Sequence, residues 1–201
     1  THITELLNEN FIFYKPRDIV SGDFYWIKQV NMSIILVAAD CTGHGVPGAL
    51  MSIIGFFLQN QAMQIAAEDF DAGLMLDNLH QNIVTTLKQD DEDSNLNDGM
   101  DAAMVRVNTK KMTLDFAGAH RPLYHVRNNT LKVIKGDRFP VGSTQYANRK
   151  PFNNHEIEIL PGDAFYFMTD GFPDQLGGES GKEKYMSGRV NLLIQDNTHL
   201  S

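Results

Sequence analysis

Apolar and polar positions change rhythm several times along this chain, and each change marks an element. Residues 24–30 alternate apolar with polar, Asn31-Met32-Ser33 interrupts them, and residues 34–39 are continuously apolar. Period-two alternation marks a half-buried strand, and a short apolar run bounded by a turn marks a strand buried on both faces. Together they predict a β-hairpin, its second strand closed by Asp40. Gly43, Gly45 and Gly48 then break the chain, and Pro47 suits a first helical turn. Residues 49–65 are apolar nearly all round, which predicts a fully buried helix. Leu76, Leu79, Ile83, Val84 and Leu87 recur at helical spacing and predict a second helix over 71–88.

Beyond residue 98 the rhythm is that of strands. Residues 102–108 and 112–117 flank Thr109-Lys110-Lys111, residues 123–126 and 131–134 flank Asn128-Asn129, and residues 156–160 and 164–168 flank Pro161-Gly162-Asp163. Three hairpins are predicted. Residues 182–195 read as a last helix and residues 1–10 as the tail of an upstream one. Antiparallel hairpins with two long helices inserted among them predict an α+β layered domain. The expected organisation is the end of a linker helix over 1–10 and one domain over 11–201.

Composition narrows the function classes. The chain has 201 residues, 42% hydrophobic and 21% charged, which is globular and long enough for a substantial core. With 17 Lys+Arg against 25 Asp+Glu the formal charge is −8. That acidity argues against nucleic acid or an anionic membrane as partner and suits cation binding. The one cysteine, Cys41, excludes an internal disulfide framework and points to a reducing, cytoplasmic setting. No apolar run reaches the ~20 residues of a membrane span. The first residue is Thr1, so a piece of a longer protein is expected.

Three aspartates lie beside strand or turn breaks. Asp23 precedes the first strand, Asp40 ends the second, and Asp170 follows an apolar run and precedes Gly171. Each alone reads more readily as a cap or turn residue, and the joint pattern is stronger than its members. Strands ending in aspartates can nevertheless place the carboxylates on one sheet rim. There they repel, unless a divalent cation resolves the conflict. All-oxygen ligation favours magnesium, manganese or calcium. Asp101, in Asp98-Gly99-Met100-Asp101, either joins that rim or opens a strand. The acidic loop around Asp91 and Asp93 fails as a calcium hand, because Leu96 and Ala102 hold the required glycine and glutamate positions.

The run Gly43-His44-Gly45-Val46-Pro47-Gly48 has the form of a dinucleotide fingerprint. A second helix follows instead of a strand, the later chain lacks βαβ units, and Asp40 would repel a pyrophosphate. These glycines instead suit close backbone approach to a metal-bound phosphate. His44 is either a polar turn residue or a proton donor to a leaving oxygen. Cys41 beside Asp40 is a poor thiolate and reads as a small buried residue.

In order, Ser21-Gly22-Asp23-Phe24-Tyr25, Ala39-Asp40-Cys41-Thr42-Gly43-His44-Gly45-Val46-Pro47-Gly48-Ala49, Asp98-Gly99-Met100-Asp101-Ala102, Phe116-Ala117-Gly118-Ala119-His120-Arg121-Pro122 and Phe167-Met168-Thr169-Asp170-Gly171 resemble one family. It is the bacterial sporulation stage II protein E branch of the metal-dependent serine/threonine phosphatases, the protein phosphatase 2C superfamily. The resemblance runs from about residue 11 to about residue 195. It implies a four-layer α-β-β-α sandwich, with central antiparallel sheets flanked by helix pairs. It also implies two divalent cations, Mn2+ or Mg2+, held by Asp23, Asp40, Asp170 and the backbone carbonyl of Cys41. The implied activity is one-step hydrolysis of phosphoserine or phosphothreonine, without a phosphoenzyme. The implied substrate is a phosphorylated anti-sigma factor antagonist within partner-switching control of transcription. An upstream sensor or receiver domain, and a homodimer through the N-terminal helix, would accompany it. Two departures stand out. The family's C-terminal Asp-Asp pair has no match, since Asp196 is followed only by Asn-Thr-His-Leu-Ser. His44 stands four residues after Asp40, whereas animal relatives place a histidine two residues after theirs.

Overall fold

The computed structural model describes residues 7, 9–65, 70–91, 97–146 and 148–200. The expected upstream helix over residues 1–10, and any dimer contact through it, lie almost wholly outside the described residues, as does most of the acidic loop.

The first hairpin forms as its pattern predicts. Strand β1 (Asp23–Val30) pairs antiparallel with β2 (Ser33–Cys41) around Asn31, which takes the left-handed conformation (φ 53°) the tight turn requires. Helix α1 (Gly45–Ile65) and helix α2 (Ala72–Thr86) follow. The Asp71 side chain caps α2 by accepting from the Leu74 N–H at 2.8 Å. Then come β3 (Met100–Asn108), β4 (Thr113–Ala119), β5 (Leu123–Arg127), β6 (Thr130–Ile134), β7 (His155–Glu158) and β8 (Ala164–Tyr166). A two-stranded ribbon of β9 (Leu176–Gly177) and β10 (Glu183–Lys184) precedes α3 (Ser187–Asp196).

These strands make two facing antiparallel sheets, ordered β1-β2-β3-β4-β7 and β6-β5-β8. Side-chain parity divides the core between them. On β2, Ile35, Val37, Ala39 and Cys41 face the helices α1 and α2, while Ile34 and Leu36 face the second sheet. On β3, Met100, Ala102 and Met104 face the helices, while Ala103 and Val105 face inward. The order is helices, sheet, sheet, helix, as the α-β-β-α expectation has it. Among the described residues the layer outside the smaller sheet is α3 alone, which packs beside β6. No described helix is long and apolar enough to cross a membrane.

Three local expectations need correction. The third predicted hairpin does not exist: β7 pairs with β4 in the larger sheet, and β8 pairs with β5 in the smaller. The Pro161-Gly162-Asp163 turn therefore carries the chain from one sheet to the other. Asp163 anchors it there, its carboxylate gripped by Nε and Nη2 of Arg127 at 2.8 and 2.6 Å. The last helix starts at Ser187 rather than 182, because residues 183–184 are spent on β10. Finally, α1 is not buried all round. Val46, Leu50, Ile53, Phe56 and Phe57 are exposed along one side, because only the opposite side packs on the sheet. Composition alone cannot tell a helix wrapped by protein from one with an apolar outer face.

Candidate active site

Strand register brings three carboxylates into one row. Asp23 on β1 lies opposite Asp40 on β2, and Asp40 lies opposite Asp101 on β3. Asp40 shares the parity of Ile34 and Leu36, and Asp101 that of Ala103 and Val105. All three therefore project into the mouth between the sheets rather than toward the helices. Asp170 arrives from the other sheet, four residues beyond the end of β8. Thr169 ties the two sides together, its hydroxyl donating to Asp23 Oδ2 at 2.7 Å.

The loop leading into α1 closes one side of this mouth. Gly43 adopts φ +87°, and Gly48 packs so tightly that a Cβ there would lie 2.6 Å from the Gly43 carbonyl oxygen. A Cβ on Gly22 would lie 3.3 Å from the carbonyl oxygens of both Cys41 and Gly43, so these oxygens crowd against the residue preceding Asp23. Close backbone packing accounts for the fingerprint-like glycines. Thr42 stitches the loop to the start of β3, its hydroxyl donating to Asp98 Oδ1 at 3.0 Å and accepting from the Gly99 N–H.

At the centre stands a residue the sequence reading passed over. Arg121 Nη2 lies 2.8 Å from Asp40 Oδ2, 2.9 Å from Asp101 Oδ2 and 2.8 Å from Asp170 Oδ2. Its neighbour His120 places Nδ1 2.8 Å from Asp101 Oδ1. The signal that could have found them is the pair of basic residues at the turn before Pro122, inside a motif already quoted for the resemblance.

The electrostatics follow from this crowding. Burial pushes the Asp40 carboxyl up to about 8, the charges of Asp23 and Asp170 push the same way, and Arg121 only partly opposes them. Burial opposes the charge of Arg121, but its hydrogen bond to Asp170 and the charges of Asp170, Asp101 and Asp40 outweigh this and hold it above its usual value. Four carboxyl groups share one guanidinium, so negative charge stays uncompensated even while Asp40 holds its proton. A set of carboxylate oxygens with one carbonyl nearby fits hard divalent cations. Among the described residues no three acidic, histidine or cysteine side chains close into a ready ligand cage; Asp40, Asp101 and Asp170 each turn an oxygen to the Arg121 guanidinium.

Asp23, Asp40, Asp101 and Asp170 thus come together. His44 does not join them: it is exposed on the loop and has no hydrogen-bond partner among the described residues. Cys41 is buried at 4% exposure, and burial first, then Asp40 and Asp23, push its thiol up to about 12, so it is no nucleophile. Asp196 ends α3, outside the smaller sheet and apart from the cluster. Asp174 is a loop acid paired with Lys184 at 2.6 Å.

Two facing antiparallel sheets between helical layers, with an acidic row at one mouth, are the architecture of the protein phosphatase 2C class. The family model for stage II sporulation protein E (SpoIIE) matches residues 31–200, and the chain belongs to that family. The SiaA-PP2C domain of Pseudomonas aeruginosa is 34% identical, with a TM-score of 0.79 over 93% of this chain and 70% of that one. The RsbU and RsbW domains of a Mycobacterium tuberculosis protein share the fold at 18% identity and a TM-score of 0.67, over 92% of this chain and 48% of that one. The phosphatase domain and regulatory fragment of Bacillus subtilis SpoIIE share it at 13% identity and 0.60, over 90% and 52%. No curated protein matches the sequence directly.

Proposed function

We propose that this domain is a divalent-cation-dependent protein serine/threonine phosphatase. Its substrate is a phosphorylated regulatory protein, of the anti-sigma factor antagonist kind, in bacterial signalling. The observation that carries the reading is the acidic row itself: register aligns Asp23, Asp40 and Asp101, and Asp170 meets them from the opposite sheet. Family membership and the 34% identity to the SiaA phosphatase domain support it.

Asp23, Asp40, Asp170 and the carbonyl of Cys41 would hold Mn2+ or Mg2+, with Asp101 as a further carboxylate. When bound, such cations polarise phosphoryl oxygens and acidify water toward neutrality, which is the chemistry one-step hydrolysis needs. The protein's own groups set the stage. Thr169 fixes the orientation of Asp23, and His120 fixes that of Asp101. The Thr42–Asp98 contact holds the loop over the mouth. A buried, crowded set of carboxylates gives up little reorganisation energy when a cation arrives. Nothing ties His44 to the cluster, so no proton transfer is assigned to it.

Purified protein supplied with manganese is expected to release phosphate from a phosphoserine protein or an aryl phosphate, and chelator to abolish release. Full activity in Asp40→Asn would remove the cation argument. Asp196 lies apart from the row, which keeps a second reading open: a phosphatase-like module that holds a phosphoprotein without cleaving it. Binding of a phosphorylated partner with no turnover in the full-length protein would favour that module.

A further inference from the structure

Arg121 is held unlike a structural arginine. A single nitrogen, Nη2, faces three carboxylates, and its Nε is buried without a partner. An –NH2 group has two hydrogens, so three acceptors cannot all be well served. Arg127 makes the contrast within the same chain, as its Nε and Nη2 grip both oxygens of Asp163 in the forked geometry that gives arginine pairs their strength. Nη2 spends its two hydrogens on Asp40 and Asp170, each at 2.8 Å, and Asp101 at 2.9 Å is left to charge alone.

The backbone nevertheless aims it there. His120 takes φ +59°, the Arg121 N–H donates to the Ala119 carbonyl at 2.7 Å, and the His120 N–H donates to the Asp137 carbonyl at 2.8 Å. Gly118 and Gly136 leave space for the Arg121 carbonyl oxygen, which a Cβ on either would strike. The side chain is only 15% exposed. A positive residue on a specialised turn, delivered among three carboxylates through one nitrogen while its Nε goes unpartnered, has the properties of a stand-in cation.

We propose that Arg121 is a displaceable internal counter-ion. Its guanidinium occupies the region a divalent cation takes, holds the acidic row together while that cation is absent, and leaves when the cation enters. It thereby sets the cation concentration at which the site fills. The inference rests on the reading of the row as a cation site. Exclusion of one ligand by the other is reciprocal, so metal must release Arg121 to the same extent that Arg121 weakens metal binding.

Two measurements test it without reference to turnover. In thermal-shift titrations with Mg2+ or Mn2+, the midpoint concentration of Arg121→Gln is expected to fall at least about fivefold below wild type, the low end of site-to-site coupling. In the intact wild-type protein labelled with 13C and 15N, the restrained Nη signal of Arg121, assigned by through-bond correlation to its own backbone, is expected to disappear as Mg2+ saturates. Retention of that signal at saturation overturns the proposal, even if the variant does not fold. An unchanged or raised midpoint in a folded variant also overturns it. A normal wild-type cation response with either result leaves the phosphatase reading intact. A wild type that responds to neither cation at millimolar concentration removes both.

Discussion

Asp40 and Asp170 come from different sheets and meet on the same nitrogen of Arg121, each at 2.8 Å. The cluster is therefore a clasp between the two sheets at one end of the sandwich, and its charge balance governs stability as well as chemistry.

Replacing Asp40 by asparagine separates those two roles. The substitution mimics the protonated carboxyl that burial and the neighbouring aspartates favour, and keeps an oxygen for Arg121. In chelator, the melting temperature of Asp40→Asn is expected to equal or exceed that of wild type. Manganese-dependent phosphate release is expected to fall by at least about a hundredfold, because losing a ligand costs no less than losing the partner that orients one. Melting curves with and without manganese, beside a phosphate-release assay, check both parts.

Gly118→Ala tests the turn that aims Arg121. The added Cβ would strike a backbone carbonyl, which cannot swing aside as a side-chain tip can. A loss of about 1–3 kcal/mol is expected, as for other overpacked sites. Urea unfolding measures it, and Gly162→Ala, where nothing lies within 4 Å but φ is +85°, reports backbone strain without a clash.

The buried pair Arg106–Asp115 holds the far side of the larger sheet. Arg106 Nη1 lies 3.2 Å from Asp115 and 2.6 Å from the Phe70 carbonyl, and the two side chains are 11% and 7% exposed. Arg106→Met strands the Asp115 carboxylate in the interior and is expected to cost about 3 kcal/mol. Adding Asp115→Leu should recover much of that loss in urea unfolding.

Two groups are expected to weaken the domain in acid, in two stages, against Asp40, whose raised carboxyl adds stability as pH falls from about 8 toward its unfolded value of ~3.9. The Gly142 N–H donates to His80 Nδ1, and burial first, then Arg149, lower the ring's pKa to about 4 against the opposing charge of Asp77. The unfolded ring titrates near ~6.5, so between those values the unfolded state binds the extra proton and stability falls as pH falls. Asp163 acts lower: the hydrogen bond from Arg127 brings its carboxyl to about 2, against burial and with help from the Leu160 N–H and His125. Its contribution is intact above the unfolded value of ~3.9 and is lost as pH falls toward 2. Urea midpoints of wild type and His80→Asn at about pH 7, 5 and 3 separate the stages: wild type should lose ground to the variant between pH 7 and 5, and both should weaken from pH 5 to 3.

Much of this molecule was legible in the order of its residues. Alternation and apolar runs are local properties, so β1, β2, α2 and the two hairpins β3–β4 and β5–β6 follow from the chain itself. The quoted motifs carried the family, and the acidity pointed to cations. Only the tertiary structure sent β7 and β8 to different sheets, because a turn looks the same whether it reverses a strand or crosses a sandwich. Only the strand register placed Asp23, Asp40 and Asp101 in one row, since a slip of one residue would have turned a carboxylate toward the helices. Arg121 stayed hidden for the same reason. Its importance is a matter of what converges on it, and convergence of groups from β2, β3 and the segment after β8 is a distance in space that no local pattern encodes.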